Sequence, residues 1–392
     1  MDPLYEPRED SFLLQKEVSK YATGDVLDIG TGTGVQAFEA LKQKRVKSVI
    51  GVDLNPEAIK YCKKEKNNLR TKKEISFLKS DLFSKLKNKK FDTIIFNPPY
   101  LPADPKYPDK ALDGGKKGYE IIERFIEDSN PHLNEKGIVL VLFSSLTKKD
   151  KVEEIIDNYG FKFEKLSSLK ISFEELYVYK ITKSEELKIL NKHKIKNIKK
   201  FMKGHRGMIF TGDKNKEKLA AKFQRKDIQA RNTVNNEIEK LKLLNKQDIG
   251  PKLIISGKDY FIYEFVPGEF VLQYFEKADK KEIKRIILDV MKQMKILDDL
   301  GMNKQEMQHP HKHIICNKGK KPVLVDFERC KYSEKVHNVT QFCQFISSLS
   351  KDLLKRKGFK IKPEDVLKKA KYYASIDKES GFKDIMALLK QG

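Results

Sequence analysis

The sequence predicts two domains in one chain: an α/β domain built on a doubly wound, mostly parallel sheet, followed by a mixed α+β domain. Three observations predict this. A chain of 392 residues is about two domains long at roughly 150 residues each. Within residues 24–100 short apolar strands alternate with helix-period segments, the pattern of a parallel sheet covered on both faces. Beyond residue 200 that alternation stops, and several strands come before the long helices.

Element by element, DVLDIG reads as a strand, Val35 to Lys44 as a helix, SVIGVDL as a strand, Pro56 to Asn68 as a helix, and ISFLKSDL and FDTIIFNPPY as two more strands. A polar loop from Leu101 to Gly118 leads to a helix over Tyr119 to Asp128, the strand GIVLVLFSS and a helix over Lys149 to Asn158. The pair FKFEKLSSLK and ELYVYKITK closes a first domain of residues 1–182. Residues 183–200 are basic with little apolar periodicity and read as a linker. In the second domain, residues 201–392, strands around MIFTG, KLAAKF, KLIISG and YFIYEFV precede helices over Asn232 to Asn245, Lys280 to Leu300 and the C-terminus.

Composition narrows the function classes. The chain is 35% charged and 39% hydrophobic, with 23 Phe and 15 Tyr, so it has the aromatic content of a folding chain. Its longest apolar run, Ile138 to Phe143, is far short of the roughly 20 residues that span a bilayer. The acidic start MDPLYEPRED is no secretion signal. Cys62, Cys316, Cys330 and Cys343 are scattered without a CxxC pair, which argues against a zinc knuckle or a disulfide framework and fits a reducing cytoplasm. The net charge of +24 is uneven: 32 Lys and Arg against 29 Asp and Glu in residues 1–180 leave 48 against 27 in the remainder. Either the second half faces a polyanion such as RNA, a ribosome or a nucleotide, or the excess reflects a Lys-rich proteome.

The segment Asp28-Ile-Gly30-Thr31-Gly32-Thr-Gly34 lies between a strand and a helix, where glycines let the backbone approach a ligand. Asp53 and Leu54 end the second strand, and that carboxylate can accept from both hydroxyls of a ribose. Asp81 and Leu82 end the third, an acid and an apolar side chain suited to clasp an adenine. Three strand ends in register point to a nucleoside. The glycine spacing is not the dinucleotide fingerprint and no phosphate-binding Lys follows, so S-adenosylmethionine is preferred to NAD or ATP.

The fourth strand ends in Asn97-Pro98-Pro99-Tyr100. The prolines remove backbone donors and stiffen the turn, leaving a cluster of acceptors. The Asn97 side-chain oxygen and the Pro98 carbonyl can each take one hydrogen of an NH2 group on an sp2 carbon, aiming its nitrogen at a donor methyl, with the Tyr100 ring against the planar group. Glu9 and Asp10 read first as caps of the opening helix and second as groups that close the donor pocket.

YEPREDSFLL, DIGTGTG, FNPPYLP and GGKKGYEIIERF together resemble the class I S-adenosylmethionine-dependent methyltransferases with an NPPY motif, in particular the archaeal and eukaryotic branch of the HemK-like protein methyltransferases. The resemblance covers residues 1 to about 180 and implies a Rossmann-like fold. It implies methyl transfer to the amide nitrogen of the GGQ-loop glutamine of a class I translation termination (release) factor, and a small zinc-binding activator protein as partner. Related NPPY enzymes act on adenine or cytosine amino groups of nucleic acid; the charge of the first half argues against a duplex-binding surface. A ribosome- or RNA-associated binding protein with a vestigial enzyme half is the remaining alternative.

In the second domain Gly204 and Gly207 between strands, Lys222 in LAAKFQR, Glu237 in NNEIEKL, Glu264 opening EFVPG, and Asp326 in VLVDFER resemble the protein kinase-like fold, especially its divergent archaeal members. That resemblance implies that Lys222 pairs with nucleotide phosphates and with Glu237, that EFVPG is the hinge, and that Asp326 holds magnesium. The sequence departs from the pattern further on. The place of the metal-binding Asn falls on His313 and that of the catalytic Asp on Gln308. Glu306 or His309 could substitute as base, or the segment is a solvated, cation-rich loop; Glu328 could add a metal ligand or pair with Arg329. The expectation is ATP and magnesium binding without efficient phosphoryl transfer.

Overall fold

The computed structural model describes residues 4–102, 114–203, 207–225 and 233–392. The chain folds as two units, Met1–Phe201 and Met202–Gly392. No described helix is long and apolar enough to cross a membrane.

The first unit runs α1 (Glu9–Tyr21), β1 (Gly24–Ile29), α2 (Val35–Lys42), β2 (Val46–Asp53), α3 (Pro56–Asn67), β3 (Glu74–Lys79), β4 (Phe91–Phe96), α4 (Glu120–His132), β5 (Leu133–Ser144), α5 (Lys149–Asn158), β6 (Phe161–Ile171), β7 (Glu174–Lys183) and α6 (Glu185–Lys192). The sheet has the order β3-β2-β1-β4-β5-β7-β6. Its first five strands are parallel, and β7 is antiparallel to both neighbours. Helices cover both faces of such a sheet, so its central strands read as near-continuous apolar runs; Val139 to Phe143 of β5 are fully buried. Strand order reverses between β1 and β4, which opens a crevice at their carboxyl ends. Every motif of the first domain lies at that edge.

The stretch 183–200, expected to be a linker, is instead ordered structure. Lys183 is 6% exposed and its Nζ donates to the carbonyls of Asn130 and Leu133 at the end of α4, both at 2.8 Å; burial pulls its pKa down to about 8. The Ser184 hydroxyl then accepts from Leu187 N at 3.1 Å and caps α6, whose Leu187 and Leu190 are 0% and 1% exposed. Two leucines three residues apart dock a helix too short to give a visible period in a lysine-rich background.

β8 (Lys196–Lys203), which begins before the division at Phe201, and β9 (Gly207–Lys214), β10 (Glu217–Gln224), β11 (Leu253–Gly257) and β12 (Tyr260–Glu264) of the second unit form a second sheet in the order β11-β12-β10-β9-β8, with α7 (Thr233–Leu244) between β10 and β11 in the chain. The remainder is mainly helical. In α9 (Lys280–Asp299), which follows the short helix α8 (Val271–Lys277), Ile283, Ile286, Ile287, Val290, Met291, Met294 and Leu297 repeat at helical spacing on the buried face.

Because α6 contributes two buried leucines, each worth about 1.5–3 kcal/mol on burial, a fragment of residues 1–195 should melt several degrees above one of residues 1–182. Equal melting temperatures would show that α6 adds nothing to the first unit.

Candidate active site

The glycine loop after β1 is shaped by backbone angles that other residues avoid. Gly30, Gly32 and Gly34 have φ of 65°, 52° and 83°. A Cβ on Gly34 would come within 2.5 Å of the Phe38 ring, whereas on Gly30 and Gly32 the nearest atoms would be 3.7 and 3.9 Å away, in ordinary van der Waals contact without a clash. Asp28 lies behind the loop: it is 1% exposed, and its Oδ2 accepts from Thr31 Oγ1 at 2.6 Å and from Ala37 N at 3.2 Å. It therefore holds loop to helix. Burial pushes its carboxyl up to about 7, against the pull of the Thr31 and Ala37 hydrogen bonds.

Asp53, at the end of β2, accepts from Gly32 N through one oxygen and from Asn55 N through the other, both at 2.8 Å. Each carboxylate oxygen retains a second lone-pair direction for a hydroxyl. Leu54 beside it is 62% exposed, an apolar surface at the crevice mouth. At the third strand end Asp81 pairs with Arg124 at 2.9 Å with half its side chain exposed, while Leu82 is buried at 7% exposure. Of the expected adenine clasp, Asp81 thus faces outward and Leu82 faces the core.

Past β4, Asn97 donates through Nδ2 to Asp10 Oδ2 at 2.8 Å, and Tyr5 OH donates to Asp10 Oδ1 at 3.0 Å. A carboxylate only accepts, so this contact fixes which way the Asn97 amide faces. Its Oδ1 is buried and has no hydrogen-bond partner among the described residues. Asp10 is 5% exposed; the expected helix cap is not formed, since Arg8 is the N-cap of α1 and no side chain caps it. Pro98 is buried and Pro99 half-buried, and the Tyr100 ring, 9% exposed, packs into the core, where burial raises its pKa. The Tyr100 carbonyl accepts from Thr147 Oγ1 at 3.0 Å. Glycines of the GGKKG segment let it lie against this turn: a Cβ on Gly114 or Gly118 would fall 2.6 Å from the carbonyls of Pro99 and Tyr100 respectively.

In the second unit Lys222 of β10 is paired with Glu237 of α7 at 2.6 Å, with Asp326 at 3.4 Å and with Glu328 at 3.5 Å. Burial works against its charge, but these carboxylates hold its pKa above the ordinary lysine range. Gly207 abuts it, since a Cβ there would meet Lys222 Cε at 3.0 Å. Glu264 ends β12 and is exposed; Gly204 lies outside the described residues. Glu328 faces Lys222, and Arg329 pairs with Glu306 instead, so the alternative of a Glu328–Arg329 ion pair is not what forms. His313 Nε2 is 3.0 Å from Glu306 Oε2, while His313 Nδ1 and Gln308 Oε1 are buried without a partner among the described residues. Sequence reasoning missed Lys304. It is 1% exposed and donates to the carbonyls of Val325 and Asp326 at 2.8 and 2.7 Å, bracing Asp326 at a φ of 64°.

The Methyltransferase small domain family matches residues 9–166. A Methanocaldococcus jannaschii protein named as a protein N5-glutamine methyltransferase is 44% identical over 182 residues, which cover 45% of this chain and 89% of that protein. A Geobacter sulfurreducens protein named release factor glutamine methyltransferase is 31% identical over 147 residues, 34% of this chain; the chain spans 51% of the length of that relative. Among solved structures, the E. cuniculi Mtq2–Trm112 complex, described as responsible for methylation of the eRF1 translation termination factor, is 29% identical and matches 46% of this chain and 99% of its own with a TM-score of 0.38.

A carboxyl raised from 3.8 to about 7 favours the fold in its neutral form, so its stabilising contribution is complete below the unfolded value and is lost as pH rises through about 7. Asp28→Asn should match the wild type in melting temperature near about pH 3, below the unfolded value, and melt increasingly above it as the pH rises to about 8. Parallel curves for the two proteins across that range would refute the burial of an ionisable Asp28.

Proposed function

The chain belongs, through its first unit, to the S-adenosylmethionine-dependent protein N5-glutamine methyltransferases, and on that premise we propose that it methylates the side-chain amide nitrogen of the GGQ-loop glutamine in a class I translation termination factor. The observation that carries this reading is the buried Oδ1 of Asn97, partnerless among the described residues and held in orientation by Asp10. The release factor named for the Geobacter relative supports the choice of acceptor.

The crevice fits the donor. Gly30 and Gly32 at positive φ let the backbone approach the donor, Asp53 offers two oxygens to ribose hydroxyls, Leu54 and Asp81 flank an adenine, and Thr31 and Asp28 hold the loop in shape. S-adenosylmethionine supplies an electrophilic methyl on a sulfonium centre. The chain's own task is to present a poor nucleophile. An amide nitrogen has its lone pair spread into the carbonyl; Asn97 Oδ1 accepts one of its hydrogens and the Pro98 carbonyl the other, which directs the nitrogen into the crevice. The Asp10 carboxylate draws on the opposite end of the Asn97 amide and makes Oδ1 a stronger acceptor. Both Asp10 oxygens already accept a donor, so Asp10 is a positioning residue. Pro99 and Tyr100 keep the turn rigid through Thr147 and Gly118. A small zinc-binding activator belongs to the same proposal; the free edge of the sheet at β3, with Tyr61 and Leu69 each 39% exposed on and just after α3, offers it an apolar flank.

For the second unit we infer a kinase-like nucleotide site. Three carboxylates surround the Lys222 ammonium, and Asp326 among them is placed to hold magnesium with a phosphate chain beside that lysine. Gln308 and the Glu306-bound His313 do not reproduce the catalytic pair of that fold, so phosphoryl transfer is not part of the proposal.

Asn97→Ala should lower methyl transfer by about 10²–10³-fold while leaving donor affinity intact by calorimetry. Asp53→Ala should weaken donor binding, each charged hydrogen bond being worth about 1.5–3 kcal/mol. Near wild-type turnover in Asn97→Ala would remove the acceptor assignment. Magnesium-ATP at a hundredfold excess over its dissociation constant should stabilise the chain by about 2.7 kcal/mol, and Asp326→Asn should abolish the shift; its absence in the wild type would eliminate the nucleotide reading.

A further inference from the structure

We propose that the Ser172–Phe173 turn joining β6 to β7 is a docking point at which the folded acceptor protein seats an apolar patch, away from the loop that carries its glutamine. The inference rests on the methyltransferase reading above. Phe173 is 96% exposed, the most exposed large apolar side chain among the described residues. Ile171 pairs with Glu174, so the turn has only two residues, and Ser172, the first of them, has a φ of 34°. A two-residue hairpin turn with positive φ at that place prefers glycine. The turn therefore breaks two local rules at adjacent positions, carrying a strained serine and a bare phenylalanine, and neither gains the fold anything.

Its anchorage leads to the NPPY turn. Glu174 accepts from the Ser144 hydroxyl, and Glu175 N donates to Ser145 Oγ at 3.0 Å. Ser144 N in turn donates to Thr147 Oγ1 at 3.3 Å, and the same Thr147 hydroxyl donates to the Tyr100 carbonyl at 3.0 Å. The turn is thus fixed to the residues that present the acceptor amide.

Register sets the scale. Phe96 is level with Val141 and Leu142 with Val178, so Asn97 is level with Val178, and Phe173 lies five residues further in the direction in which the active-site edge faces. At about 3.3 Å per residue, Phe173 projects roughly 17 Å beyond Asn97 and two strands to the side. It is too far away to touch the glutamine amide. It is well placed to touch the body of the protein that bears it. Leu146, 44% exposed after β5, and Leu169, 37% exposed on β6, extend the apolar surface on either side of the turn.

The test is steady-state methylation of a purified class I termination factor by the full chain and its Phe173→Ser and Phe173→Leu variants, with sedimentation and zinc-protein binding measured in parallel. Phe173→Ser should raise KM for the acceptor about tenfold, with kcat and donor affinity held, because a buried phenylalanine is worth at least that factor. Phe173→Leu should show a smaller rise. An unchanged KM with an active wild type overturns the docking proposal alone. So does a serine variant that alters only self-association or only activator binding, since the occupant is then a second copy or the activator. A wild type that cannot methylate any termination factor overturns the functional reading and this proposal together.

Discussion

The hydrogen bond from the Asn97 amide to the Asp10 carboxylate is the contact on which the rest of the first unit's site depends, because it decides which atom of Asn97 faces the acceptor. Holding Asp10 there takes most of the N-terminal structure. Leu13, Leu14 and Val18 bury one face of α1, and Gln36 Nε2 of α2 donates to the carbonyl of Ser11 at 2.8 Å. The next residue of α2, Ala37, donates its backbone N–H to Asp28. One continuous path, Asn97 to Asp10, α1, α2 and Asp28, therefore braces the acceptor turn and the glycine loop together. Movement of α1 would disturb both sites at once.

What was legible in the sequence was local. The glycine loop, Asp53 and Asn97 are each recognised by residue types within a few positions of a strand end, and the structure brings these strand ends to one edge because parallel strands cannot do otherwise. Asp10 was misread because an acid at a helix start is ordinarily a cap, and its true partner is 87 residues away. The lysine-rich stretch after Thr182 hid α6 because only Leu187 and Leu190 carry its packing. In the second unit the Lys222–Glu237 pair is what the resemblance to the kinase-like fold implies, whereas Lys304 stands in a segment that reads as solvated and basic. A lysine can be buried only if its ammonium finds acceptors, and here they are the backbone carbonyls of Val325 and Asp326, which no side-chain pattern announces.

Those two lysines give the second unit's charge cluster its logic. Burial alone would raise the Asp326 carboxyl, yet Lys222 and Lys304 outweigh it and hold the group below its ordinary value. Burial lowers the pKa of Lys304, with the Asp326 charge opposing that fall. Each charge is tolerable only while the others remain, so loss of one is expected to cost more than any single pair would suggest. The left-handed Asp326 backbone is part of the same balance, because Lys304 grips the carbonyl on each side of that strained residue.

Departures from local preference in this chain fall into two physical groups. Some are compensated inside the fold: Asp28 is a buried acid bonded by Thr31 and Ala37, Gly34 has a ring where a side chain would go, and Asp326 is held by Lys304. Others have no internal compensation among the described residues; in the first unit they include the buried Asn97 Oδ1, the Leu54 surface and the Phe173 turn. The fully buried Val139 to Phe143 run of β5 contributes core stability against which such positions are tolerated. These three lie on the side of the sheet toward which the carboxyl ends of the parallel strands point, and each lacks a different kind of partner: a hydrogen-bond donor for Asn97, a flat apolar group for Leu54, an apolar protein surface for Phe173. A single small ligand could not satisfy all three, whereas a nucleoside donor and a protein bearing a primary amide would do so together.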